Sequence, residues 1–151
     1  MKKKINVVGL GPGDPKLLTI QAQEIVESSD LVCIPRTENG SLAYEIARGF
    51  LNDDSEIIWI DIGMGKKNDG EKLRGAIRAV AERIKEGRSI TYITLGDPTL
   101  YSTFWMVWDM LREEFPDIGS RVELVLIPGI SSMAARSAAA KIPLALGDES
   151  I

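Results

Sequence analysis

Five short apolar runs recur along the chain, at residues 5–10, 31–34, 57–60, 90–95 and 122–127. Each is followed by a stretch in which apolar residues return at helical spacing. Leu18, Ala22 and Ile25 mark the first helix, and Leu42, Ile46 and Phe50 the second. Leu73, Ile77, Val80, Ala81 and Ile84 form a stripe closed by Gly87. Phe104, Val107, Trp108 and Leu111 mark a fourth helix, and an alanine-rich fifth, over 132–140, stops before Pro143. The runs are continuous rather than alternating, as in strands with both faces covered. Parallel neighbours need a crossover between them, and a helix is the usual one. The pattern predicts an α/β fold: a three-layer, five-stranded, mostly parallel sheet with helices on both faces, in a single domain over residues 1–151.

A chain of 151 residues suits one domain and buries about two thirds of its unfolded surface without staples. With 18 basic and 22 acidic residues the net charge is −4, which argues against nucleic acid as partner. Lys2, Lys3 and Lys4 read as the solvated start of the first strand. Cys33 is the only cysteine, so neither a disulfide within the chain nor a cysteine metal cluster is available. Histidine is absent, which removes imidazole as base, nucleophile or ligand. Chemistry must come from carboxylates, hydroxyls, backbone groups or the substrate itself, and no protein-bound metal is expected. No apolar run approaches the roughly 18 residues of a membrane span, and no signal peptide is visible. A cytoplasmic protein with no membrane partner is expected. The triplet Leu-Gly-Asp at 95–97 and 146–148 reads as shared turn chemistry rather than a duplicated unit.

Ligands of parallel sheets sit beyond the carboxyl ends of the strands. Three loops there are unusual. In the first, Gly9, Gly11 and Gly13 are spaced G-x-G-x-G, with Asp14 where a dinucleotide fingerprint carries its third glycine. Pro12 removes a backbone donor. The second strand ends in Pro35-Arg36-Thr37, without the acidic residue that holds a ribose, and no Gly-Lys-Ser/Thr makes a P-loop. A dehydrogenase-type nucleotide site is therefore disfavoured. Asp14 reads as an N-cap with Pro15 at the first helical position. That leaves the three glycines to explain, and close approach of backbone to a ligand is one reason for them.

The second loop, "TLGDPTLYST", repeats the Asp-Pro pair. Two roles stay open for Asp97: an N-cap, or a carboxylate facing the cleft to hold a hydroxyl or a cationic group. Ser102 reads as the cap of a helix beginning near Thr103. In the third loop, "IPGISS", Ser131 and Ser132 either cap the next helix or meet a ligand at its amino end. Trp105 and Trp108 share one helix as core residues or interface anchors, with Trp108 on the core stripe.

In this order, "VGLGPGDPKLLT", "LGDP" and "IPGISS", followed by an alanine-rich helix and "IPL", resemble the tetrapyrrole methylase family along essentially the whole chain. Within it, "TLGDPTLYST" and "PLALGDES" are most similar to members that methylate C20 of precorrin-2 or cobalt-factor II. The resemblance implies S-adenosylmethionine-dependent methyl transfer in cobalamin biosynthesis. Methylation of precorrin-4 or uroporphyrinogen III, diphthine synthesis and a non-catalytic binding or assembly domain remain the alternatives. It implies cofactor contacts at Pro12, Leu95, Gly96, Asp97, Leu100, Ser131 and Ser132. Asp97 is also the candidate catalytic carboxylate. Gly11, Arg36 and Tyr101 are the candidate substrate contacts, with Arg36 placed to meet substrate carboxylates. The resemblance further implies a homodimer, and a second α/β domain after the "IPL" region. The chain would then correspond to the N-terminal domain, with weak cofactor binding and little turnover expected of it alone.

Overall fold

The computed structural model describes residues 2–63 and 69–151. Five strands form one sheet: β1 (Lys3–Gly9), β2 (Leu31–Arg36), β3 (Glu56–Asp61), β4 (Ile90–Thr94) and β5 (Val122–Ile127). Their order is β3-β2-β4-β1-β5, and every paired neighbour is parallel. The helices are α1 (Ile20–Glu27), α2 (Leu42–Ala47), α3 (Asp69–Lys85), α4 (Phe104–Glu114), α5 (Ile118–Arg121) and α6 (Ser132–Ala140).

Alternation within the strands assigns side chains to two separate cores. Ile5, Val7, Cys33, Ile60 and Tyr92 face α3, α4 and α5, where Ile77, Ala81, Phe104, Leu111 and Ile118 fill the layer. Val8, Val32, Ile34 and Ile93 face α1 and α2, against Val26, Ala43 and Ile46. The expected three layers are present. Helix α6 differs from the rest, because none of its residues is buried. Across the sheet's amino edge, Glu56 accepts hydrogen bonds from Arg83 Nε at 2.9 Å and from Arg88. These two guanidiniums hold its carboxyl below the usual range despite an opposing desolvation cost.

The structure departs from the sequence reading in several places, among them the end of α2, which stops at Ala47 and leaves Phe50 beyond it. Asp14 is the N-cap and Pro15 the first helical residue, as expected, but of a single 3-10 turn, Pro15–Leu17, separate from α1. Helix α1 starts only at Ile20, where Thr19 Oγ1 accepts from Ala22 N at 3.1 Å, so Leu18 precedes the helix. The one-turn α5 is a sixth helix, too short to show a period. Strand β2 runs on through Pro35 and Arg36, although proline gives no ladder donor. It pairs with β4 only at Val32 and Cys33, so beyond them β3 alone is its partner. Trp108 lies in the core at 8% exposure.

Candidate active site

The loops after β1, β4 and β5 meet through their main chains. A Cβ on Gly9 would lie 2.6 Å from the Gly96 carbonyl oxygen and 2.9 Å from Gly129 N. A Cβ on Gly129 would overlap that same oxygen. Gly11 and Gly96 form an antiparallel bridge, with Gly96 N donating to Gly11 O at 2.8 Å and Gly11 N to Gly96 O at 3.2 Å. Both have positive φ, +77° and +62°, where a side chain is strained. At Gly9 and Gly129 glycine is therefore required by the approach of one loop to another. For the first loop the sequence offered ligand approach as one reason for its glycines; at Gly9 the neighbouring loops supply another.

Asp97 supplies the side-chain staple. Its Oδ1 accepts from Gly129 N at 3.0 Å in the third loop. Its Oδ2 accepts from Thr99 N at 2.8 Å and Thr99 Oγ1 at 2.5 Å. Burial pushes this carboxyl upward, but the hydrogen bonds from Thr99 and Gly129 outweigh it and hold the carboxyl below its ordinary value. Asp97 thus caps its own turn and ties the second loop to the third. Behind it, Trp105 Nε1 donates to Pro98 O at 2.8 Å. The N-cap of α4 is Thr103 rather than the expected Ser102, which stands one residue earlier; Ser102 Oγ still accepts from Phe104 N at 3.2 Å and shares a 2.9 Å hydrogen bond with Thr94 Oγ1. Ser131 Oγ accepts from Ala134 N at 3.2 Å and caps α6, while Ser132 is exposed on its first turn.

A cavity of about 300 Å³ opens between the carboxyl ends of β2 and β4. Arg36, Ser41, Leu95 and Tyr101 are on its lining. Tyr101 is 97% exposed with φ of +54°, an uncommon value for a residue with a side chain. Arg36 is paired with Asp61, Nε to Oδ1, at 2.7 Å. Arg36 and Tyr101, both singled out as substrate contacts, therefore share one cavity. Gly11 does not line it; it is buried in the bridge to Gly96. Pro12, half-buried at the turn, Leu100 and the two serines also lie off that lining. Sequence reasoning missed Gly129 and Asp61, and it read Trp105 as core or interface without its bond to Pro98. The opposite charges of Arg36 and Asp61 at two strand ends were the one readable signal.

The loops also show what charge they suit. Residues 9–15, 96–103 and 128–132 contain Asp14 and Asp97 but no lysine or arginine. Such a set does not favour phosphate and tolerates a cation. Leu95 and Leu100 add apolar surface, each about two-fifths exposed. Burial, aided by the Glu56 charge, pushes the Cys33 thiol up to about 12, so it packs and does not act as a thiolate. Among the described residues no cluster of three or more metal-ligating side chains occurs. None of the described helices is long and apolar enough to cross a membrane.

The chain belongs to the tetrapyrrole (corrin/porphyrin) methylase family, whose sequence model matches residues 4–151. It is 40% identical to a probable cobalt-precorrin-2 C(20)-methyltransferase of Methanocaldococcus jannaschii, over 99% of this chain and 62% of that relative. It is 33% identical to the cobalt-precorrin-2 C(20)-methyltransferase of Salmonella typhimurium, over 100% of this chain and 62% of that one. The chain thus spans under two thirds of the length of these relatives. Among solved structures, a cobalt precorrin-4 methyltransferase superposes with a TM-score of 0.68 at 25% identity, covering 96% of this chain and 53% of the other. A uroporphyrin-III C-methyl transferase from Thermus thermophilus, complexed with S-adenosyl homocysteine, shares the fold with a TM-score of 0.61 at 19% identity, covering 96% and 54%.

Proposed function

We propose that residues 1–151 act as the N-terminal domain of an S-adenosylmethionine-dependent methyltransferase, acting at C20 of precorrin-2 or its cobalt complex in cobalamin biosynthesis. One observation carries the reading. Likeness over nearly the whole chain reaches 40% and 33% with two C20-methyltransferases, against 30% with a uroporphyrinogen-III C-methyltransferase and 26% with a cobalt-precorrin-4 C(11)-methyltransferase.

When bound, the cofactor supplies a methyl group made electrophilic by its sulfonium. The chain's part is alignment. Pro12, Leu95, Gly96, Asp97, Leu100, Ser131 and Ser132 form the cofactor wall. Leu95 and Leu100 offer apolar surface, and the acidic character of the loops favours the cation. Asp97 contributes by fixing Gly129 and Thr99, since both its oxygens are engaged there. An electron-rich ring carbon attacks the methyl directly as the sulfur–methyl bond breaks, the neutral thioether leaves and the ring carbon's proton passes to solvent, so positioning rather than a strong base sets the rate. The absence of histidine fits that demand. Arg36 and Tyr101 face the tetrapyrrole, with Gly11 on the substrate side of the first loop. A cytoplasmic homodimer, without nucleic-acid or membrane partners, completes the proposal; light scattering on the purified protein tests the dimer.

The deciding experiment incubates the full-length protein that carries this domain with S-adenosylmethionine and either precorrin-2 or its cobalt complex, then reads product masses. A single added methyl, mapped to C20 by nuclear magnetic resonance, is expected. Methylation at C11 or on uroporphyrinogen III would move the chain elsewhere in the family. Cofactor binding without any product would favour a binding or assembly role.

A further inference from the structure

The ends of β2 and β3 lie side by side, with Arg36 in register with Asp61. Arg36 Nε donates to Asp61 Oδ1 at 2.7 Å, and Nη2 donates to Oδ2 at 3.3 Å. The guanidinium also lies over the Trp59 ring, 4.9 Å from its centroid. Tyr44 in turn meets Trp59 edge-on at 5.4 Å. An arginine normally keeps its rotamer freedom at a surface, and an ion pair as open as this adds little stability. Here one edge is clamped and one face is covered, so the remaining edge has a fixed direction.

The cavity between the ends of β2 and β4 lies beside this pair. Arg36 lines it, whereas Asp61 and Trp59 do not. Among the described lining residues there is no carboxylate and no second cation. Apart from the exposed Tyr101, the nearby hydroxyls are engaged within the fold. Ser41 Oγ donates to Pro35 O at 2.6 Å, Thr37 Oγ1 donates to Gly40 O at 3.3 Å, and Thr103 Oγ1 lies 3.0 Å from Tyr92 OH. Nη1 of Arg36 makes no hydrogen bond to any described residue. The cavity therefore presents one oriented cationic donor.

We infer that this cavity is a carboxylate subsite, in which the open edge of Arg36 grips one acidic side chain of the tetrapyrrole, and that Asp61 is a positioning residue acting through Arg36. A guanidinium fork matches a planar carboxylate, which a lysine ammonium in the same place does not. The inference rests on the methyltransferase reading above.

The test measures methyl transfer at saturating S-adenosylmethionine while tetrapyrrole concentration varies. Arg36→Gln raises the tetrapyrrole KM by ~10–100-fold, the scale of a lost charge-assisted hydrogen bond. Arg36→Lys behaves nearly as badly. Asp61→Ala raises KM by roughly 3–10-fold with kcat and cofactor affinity unchanged, a smaller loss because the charge remains. The double variant Arg36→Gln/Asp61→Ala is no worse than Arg36→Gln alone, which a merely structural role for Asp61 would not produce. An unchanged KM in Arg36→Gln, or additive losses in the double variant, overturns the inference. A second arm follows uroporphyrin III and its fully methyl-esterified form by fluorescence. The unaltered protein prefers the acid, and Arg36→Gln removes the preference. If the full-length protein transfers no methyl to either precorrin substrate, the methyltransferase reading falls and the porphyrin arm alone decides. Equal affinity of the unaltered protein for acid and ester then sinks the subsite.

Discussion

The loops after β1, β4 and β5 form a wall held by main chain, whereas the corner after β2 and β3 is held by side chains. In the wall, Gly9, Gly11, Gly96 and Gly129 touch backbone to backbone, and Asp97 is fastened to two loops at once. In the corner, Arg36, Asp61 and Trp59 make contacts that could be altered without moving a strand. The difference separates shape from selectivity. A wall of touching backbones fixes the place of a bound group but has little chemical vocabulary. A corner of side chains can change what it recognises at small cost to the fold.

That contrast breaks first at Gly129. Gly129→Ala places a Cβ on the Gly96 carbonyl oxygen and is expected to cost about 3 kcal/mol, the upper range for overpacking. Thermal unfolding measures it, and a melting temperature close to that of the unaltered protein would show that the wall yields easily. Asp97→Ala comes next, at ~1–3 kcal/mol, because the Gly129 and Thr99 N–H groups lose their acceptor. Denaturant titration reads that loss, and S-adenosylmethionine titration should weaken in parallel.

The acid limb sharpens the same point. The folded carboxyl of Asp97 titrates below its unfolded value. Its contribution is therefore present at neutral pH, above the unfolded value, and is lost as pH falls through the lowered folded value. Asp97→Asn should flatten that limb of the stability profile, and an unchanged limb would remove the staple from the account. Trp105→Phe deletes one hydrogen bond to Pro98 O and should cost about 1 kcal/mol. Arg36→Gln is the smallest perturbation to folding, at ~0.5 kcal/mol or less for a partly exposed pair. A larger destabilisation there would mean that the corner, too, is architectural.

Strands and long helices were legible because each leaves a run or a period of several residues. Ile90 to Thr94 and the α3 stripe announce themselves in this way. The α5 turn and the 3-10 turn before α1 are too short to carry a period, and capping residues alone did not separate Asp14 from Thr19. The three loops were legible as a set, since glycine and proline punctuate each. What they do to one another was not. Asp97 and Gly129 are 32 residues apart, and only the pairing of β4 and β5 with β1 brings them together. Asp61 escaped for the same reason, because its role depends on β3 lying beside β2.

The sheet order also sets a timetable for assembly. Strand β2 meets β3 through a short, local βαβ unit, but β1 is made first and finds its partners only at Ile90 and Val122. Such long-range closure is slow to nucleate, because loop entropy is lost before contacts reward it. The opening glycine turn therefore stays unfinished until the last strand is seated. Hydrogen exchange should find Gly11 and Gly96 protected late in refolding, after the amides of β2 and β3.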